Sequence, residues 1–142
     1  MKKRQVVITG AGASGLMAAI MAARKGAAVT VLEQNEKPGK KICATGNGRC
    51  NFSNLAKPDD AYRGEHPEFA EGALVQFSVE DTIDFFREIG IYPLNRNGYL
   101  YPRSNQAQSV VDVLCMEAAS LGVKIKTNEQ VTEIKNGING KN

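Results

Sequence analysis

A chain of 142 residues, 42% hydrophobic and 23% charged, can bury one real core and is too short for two ordinary domains. Its 18 basic and 15 acidic residues mix along the sequence to a formal charge of +3, with no like-charge run that would act as a nucleic-acid tail. No apolar stretch approaches the roughly 20 residues of a spanning helix, and three cysteines with a single histidine, His66, support neither a disulfide framework nor a zinc site.

Gln5-Val6-Val7-Ile8-Thr9 is a β-branched run bounded by glycine and reads as a parallel strand covered on both faces. Met1-Lys2-Lys3-Arg4 resembles the start of a secretion signal, but the apolar run behind it breaks at once at Gly10 and Gly12. Ser14 to Lys25 reads as a helix stopped by Gly26, and Ala28 to Glu33 as a second strand. Strand, helix and strand together predict a right-handed crossover. Residues 34–60 hold glycine, lysine, asparagine and proline without periodicity, which predicts a long irregular loop of the kind that carries function.

Ser78-Val79-Glu80-Asp81 has the spacing of a capping box and opens a helix with Ile83, Phe85, Phe86 and Ile89 as its apolar stripe. Tyr92 to Leu94 and Tyr99 to Tyr101 flank Asn95-Arg96-Asn97-Gly98, which predicts a hairpin. Ser104 can cap a helix running to about Leu121, with Val110, Val111, Leu114 and Ala118 on its buried side. Val123 to Thr127 and Val131 to Lys135 then read as strands, and Asn136-Gly137 as a tight turn just before the sequence stops. The expected class is α/β: a Rossmann-like FAD/NAD(P)-binding domain with a parallel sheet, flanking helices and a small β-hairpin. The abrupt end predicts an N-terminal fragment of a longer protein.

Gly10-Ala11-Gly12-Ala13-Ser14-Gly15 places the GxGxxG spacing between the first strand and the first helix. The first glycine permits a tight turn, the second lets backbone approach a pyrophosphate, and the third lets helix and strand pack closely. Backbone N–H groups and the helix dipole would hold the anion, with the Ser14 hydroxyl as a further donor. Glu33 ends the next strand, where a carboxylate accepts from ribose hydroxyls and repels a 2′-phosphate. Alone, the glycine spacing is weak; its strand, helix and acidic partner make it specific. The competing reading is an ordinary glycine turn with Glu33 as a solvated strand end.

The turn serves NAD and FAD alike. The segment after Glu33 favours FAD, because a longer cofactor needs the extra wall that the loop supplies. There Lys40, Lys41 and Arg49 offer cations, Thr45, Asn47 and Asn51 neutral donors, and Gly46 and Gly48 close backbone approach. Cys50 lies beside Arg49, which can activate a thiol; with no histidine nearby, a packed and inert cysteine is the better reading.

With GAGASGLMAA, Glu33, TGNGRCNFSN and the later Tyr101-Pro102-Arg103-Ser104 segment, the chain resembles the FAD-binding oxidoreductases that include aminoacetone oxidase and BaiN-type bile-acid reductases. The resemblance implies a two-dinucleotide-binding-domain flavoprotein fold of the glutathione-reductase type, in members far longer than this chain. It implies that Gly10, Gly12, Ala13, Ser14 and Gly15 meet the pyrophosphate, Glu33 the adenosine ribose, and Lys40, Lys41 and Thr45 through Asn51 the rest of the cofactor. Val131 would pair its backbone with adenine.

The expected activity is hydride transfer through flavin N5 to or from a small molecule, with NAD(P)H as a candidate electron donor and no side chain here required as acid or base. Neither nucleic acid, membrane nor metal is expected as a partner, and the cysteine usage fits a reducing cytoplasm. The rivals are a nucleotide-binding module without chemistry of its own and, more weakly, a flavin-dependent RNA-modifying enzyme.

Overall fold

A computed structural model describes residues 3–56 and 61–135, which form two compact units: one of residues up to 38 together with those from 118 on, the other of residues between 39 and 117. The expected turn at Asn136-Gly137 lies outside the described residues.

In the first unit, β1 (Gln5–Thr9), β2 (Ala28–Leu32) and β6 (Lys124–Lys126) make a parallel sheet in the order β1-β2-β6. Gln5 lies opposite Ala28 and Thr9 opposite Leu32, while Thr30 to Leu32 pair with Lys124 to Lys126. Helix α1 (Ala13–Arg24) joins β1 to β2 and buries Gly15, Leu16, Ala19 and Ile20. These residues lie three to four apart, so one stripe of the helix is apolar and small enough to sit close.

Two expectations fail here. First, β1 is not covered on both faces: Val7 is 64% exposed, and the strand alternates exposed with half-buried residues. Gln5, Val7 and Thr9 share the exposed face, while Val6 and Ile8, on the other, are half-buried; among the described residues β2 is the strand paired with β1. Second, Val131 to Lys135 forms no strand. The Glu129 amide still donates to the Glu33 carbonyl (2.9 Å), but the following residues are exposed and meet no strand with which to build a ladder.

The second unit replaces the expected loop with short elements: α2 (Lys40–Ala44), a 3₁₀ turn (Thr45–Gly48) and β3 (Ser53–Asn54). Local chemistry makes them, not periodicity. Gly39 starts α2 from a left-handed conformation (φ 73°), where a β-carbon would lie 2.5 Å from Val111 Cγ2, and the Thr45 hydroxyl donates to the Ile42 carbonyl (2.7 Å) at its end. A further 3₁₀ turn (Pro67–Ala70) leads into α3 (Glu71–Gln76), neither of which the pattern signalled.

Helix α4 (Val79–Glu88) carries the anticipated box: the Asp81 amide donates to Ser78 Oγ (3.1 Å) and the Ser78 amide to Asp81 Oδ2 (2.8 Å). Phe85 is buried, and Phe86 stacks at a tilt on Phe52 with centroids 4.7 Å apart. The hairpin also forms, as β4 (Pro93–Arg96) and β5 (Tyr99–Pro102), with β3 on the other side of β5. Asn97 (φ 53°) and Gly98 (φ 91°) supply the two left-handed residues that a two-residue turn of this twist requires. Helix α5 (Ala107–Ser120) buries Val110, Val111, Leu114 and Ala118 as expected, but begins three residues after Ser104.

Candidate functional site

In the first unit, β1 ends at Thr9 and the chain turns through Gly10 (φ 87°) into α1, whose N-cap is Gly12. The Gly10 amide donates to the Leu32 carbonyl (2.7 Å), pinning the turn to the end of β2. At Gly15 a β-carbon would lie 1.9 Å from the Gly10 carbonyl oxygen, so this glycine sets how closely α1 follows β1. At Gly10 and Gly12 a β-carbon would meet nothing within 4 Å. The space in front of the turn is open.

No side chain caps α1 and no acidic residue stands in its first turn. The amides there lack intrahelical acceptors, and among the described residues no side chain caps them. Ala13 and Ser14 are exposed beside it. A glycine turn opening on free space, with an uncapped 12-residue helix behind it, suits an anion as large as a diphosphate.

Glu33 follows β2 directly and is 6% exposed, the one buried charged side chain among the described residues. Its Oε2 accepts from the Ala11 amide (2.6 Å); its Oε1 accepts from the Asn35 amide (2.8 Å) and from Asn35 Nδ2 (2.5 Å). The backbone is held as well, Glu33 N donating to the Lys126 carbonyl (2.8 Å). The Asn35 amide, then the Ala11 amide and more weakly the Asn35 side chain, hold this carboxyl below the usual glutamate range, against burial, which pushes it up.

Because the folded value lies below the unfolded one, the carboxylate contributes stability that is fully present above the unfolded value of ~4.3. That contribution is lost as the pH falls through the folded value. Glu33→Gln is therefore expected to melt lower than wild type at neutral pH, with the gap closing in acid. Thermal melts of both proteins across that range check this, and a gap of constant size would overturn it.

The other predicted residues stand as follows. Val131, 37% exposed, lies two residues beyond Glu129, whose amide meets Glu33. In the second unit Lys40 and Lys41 are exposed at the start of α2. Gly46, Asn47, Gly48 and Cys50 all take left-handed conformations, so residues 46–50 wind into a tight coil in which the Cys50 amide donates to the Thr45 carbonyl (3.1 Å). Gly46 admits no side chain, since a β-carbon would lie 2.8 Å from Asn51 N. Asn47 and Gly48 are exposed and Arg49 is half-buried.

Thr45 and Asn51 use their side-chain donors inside the unit: Thr45 on Ile42, and Asn51, in the orientation that satisfies its amide, on the carbonyls of Ser53 (2.7 Å) and Leu100 (3.1 Å). Burial pushes the Cys50 thiol up, with the nearby Cys43 adding to the effect and a Thr45 hydrogen bond opposing it. Cys50 is buried in the unit, which favours packing over reactivity. Asn35 was the residue missed. An asparagine two positions from a strand-end carboxylate is a signal for local side-chain hydrogen bonding, and it was there to be read.

Comparison with known proteins shows the family. Residues 4–141 match the family described as HI0933-like protein Rossmann domain. The chain is 50% identical over 133 residues to the 3-dehydro-bile acid delta(4,6)-reductase of Clostridium scindens, covering 92% of this chain and 32% of that protein. It is 33% identical over 135 residues to the ribosomal RNA dihydrouridine synthase of Escherichia coli, covering 94% and 34%. Among solved structures, the open conformation of a flavocytochrome c3 fumarate reductase shares the fold at a TM-score of 0.62 and 18% identity, over 97% of this chain and 29% of that one. The chain spans about a third of the length of the curated relatives it matches. Matched along nearly its whole length, it belongs to the HI0933-like family of FAD-binding Rossmann domains.

Proposed function

We propose that the chain is the FAD-binding region of a flavin-dependent oxidoreductase acting on an unsaturated small molecule. The observation that carries the nucleotide reading is the open turn at Gly10 and Gly12 in front of an uncapped helix. There the backbone from Gly10 through Gly15 would hold the pyrophosphate, and Glu33, ionised at neutral pH, the adenosine ribose. Val131 is assigned to adenine, and Lys40, Lys41, Thr45, Gly46, Asn47, Gly48, Arg49, Cys50 and Asn51 to the remainder of the cofactor. In that second set Thr45, Cys50 and Asn51 act chiefly through backbone shape, because their side chains are engaged or buried. Bound flavin supplies hydride transfer at its N5 position, and the chain supplies binding, orientation and field.

The relatives support the substrate class. One is named a delta(4,6)-reductase and the other a dihydrouridine synthase, and both names describe removal of a carbon–carbon double bond. A small conjugated molecule is preferred over RNA because the 50% relative acts on a bile acid, and because the charge of +3 forms no basic stripe. RNA is the second reading, favoured by the 33% and 35% identities to ribosomal RNA dihydrouridine synthases. NADH or NADPH is the proposed electron donor. No helix among the described residues is long and apolar enough to cross a membrane, and the reducing cytoplasm suits the three free thiols.

The purified protein is expected to carry flavin absorbance, to be bleached anaerobically by NADH or NADPH, and to be reoxidised by a steroid dienone but not by a uridine-containing ribosomal RNA fragment. The reverse preference would favour RNA. Bound FAD that no donor reduces would make this a nucleotide-binding module, and protein that neither carries nor takes up flavin would sink the reading.

A further inference from the structure

The buried carboxylate beside the glycine turn is engaged before any ligand arrives. A carboxylate offers about four acceptor sites. In Glu33 three are taken, two on Oε1 by Asn35 and one on Oε2 by Ala11, so the site left over lies on Oε2. The same oxygen thus ties down the middle of the turn and stands ready for a sugar hydroxyl. Asn35 fixes which oxygen does this, because its main-chain and side-chain N–H groups both point at Oε1. It is itself anchored, its carbonyl accepting from the Asn128 amide (3.1 Å).

Resting on the nucleotide reading above, we propose that Asn35 is a positioning residue for adenosine binding: its side-chain amide orients the Glu33 carboxylate so that Oε2 locks the glycine turn and presents one acceptor site to a ribose hydroxyl. Without that amide Oε1 keeps only the Asn35 main-chain N–H, so the carboxylate is held less firmly in the plane that serves Ala11. Charged neighbours do not substitute for it. Lys124 and Lys126 lie on the neighbouring strand β6, and Glu36, Lys37 and Glu129 lie close in the chain or by backbone pairing, yet amide donors are what hold the Glu33 carboxyl low.

The test compares wild type with Asn35→Asp, which keeps the shape but removes the donor, Asn35→Leu, and Asn35→Ser, which restores a short donor. In the flavin-free protein, the NMR shift of the Ala11 amide is followed against pH; in the presence of FAD, the dissociation constant is measured by flavin fluorescence. The Ala11 titration is expected to move to higher pH in the aspartate and leucine variants and back towards wild type in the serine variant. FAD affinity should fall about ten-fold in the first two, the size expected for one charged hydrogen bond. An Ala11 midpoint unmoved by the neutral Asn35→Leu, or unchanged FAD affinity in that variant, overturns the proposal. Wild-type protein that takes up no FAD overturns the nucleotide reading instead, and the tether then stands or falls on the Ala11 midpoint alone.

Discussion

Gly12→Asp is expected to leave the fold intact while reducing FAD affinity by more than about 100-fold, the cost of setting a carboxylate against the diphosphate and occupying its amide donors. The backbone at Gly12 (φ −82°, ψ −170°) is one that aspartate adopts readily, and the new side chain would enter open space. Gly12 is also the N-cap of α1, where aspartate is among the preferred residues. The introduced carboxylate would therefore accept from the same first-turn amides that the diphosphate needs, and stabilise the helix in doing so. Thermal melting and flavin content measured on one preparation separate the two effects. Normal flavin content in this variant would remove the glycine turn from the cofactor site.

Gly15→Ala is expected to do the opposite, costing the fold about 3 kcal/mol or more. The added methyl would sit 1.9 Å from the Gly10 carbonyl oxygen, a backbone atom with no rotamer in which to retreat. Either α1 must lift away from β1 and β2, exposing Leu16, Ala19 and Ile20, or the Gly10 turn must deform and break its bond to Leu32. Such a loss is a large share of the 5–15 kcal/mol that typically holds a domain together. Chemical denaturation reads it directly, and an unshifted midpoint would show that helix and strand are not in the close contact described. Three residues apart, the two glycines thus differ: Gly12 borders open space, and Gly15 sets a helix–strand contact.

Much of this was legible in the residues because it is encoded locally. The glycine spacing, the β-branched strands beside it and Glu33 all sit within one stretch whose meaning depends on its own neighbours. The box at Ser78 and Asp81 and the hairpin at Asn97-Gly98 were readable for the same reason. What sequence hid depends on contacts or on very short elements. Helix α2 has five residues, fewer than two turns, so no periodicity can announce it. The exposure of Val7 depends on what packs over its face of the sheet, which the composition of β1 does not contain. Val131 to Lys135 has strand propensity but gains no partner among the described residues, and propensity without a ladder does not make a strand. Glu33 was recognised for its charge, while its ties to Ala11 and Asn35 needed coordinates.

The tie between Glu33 and Ala11 bears on any attempt to turn the proposed adenosine site towards a phosphorylated cofactor such as NADP. Reversing the charge at position 33 looks like a one-residue edit, yet it would also strip the turn amide of its acceptor and place a cation where three N–H groups already converge. A redesign that succeeds must therefore supply a new anchor for Ala11 at the same time, and a library varying position 33 alone is searching a space in which the scaffold has already been damaged.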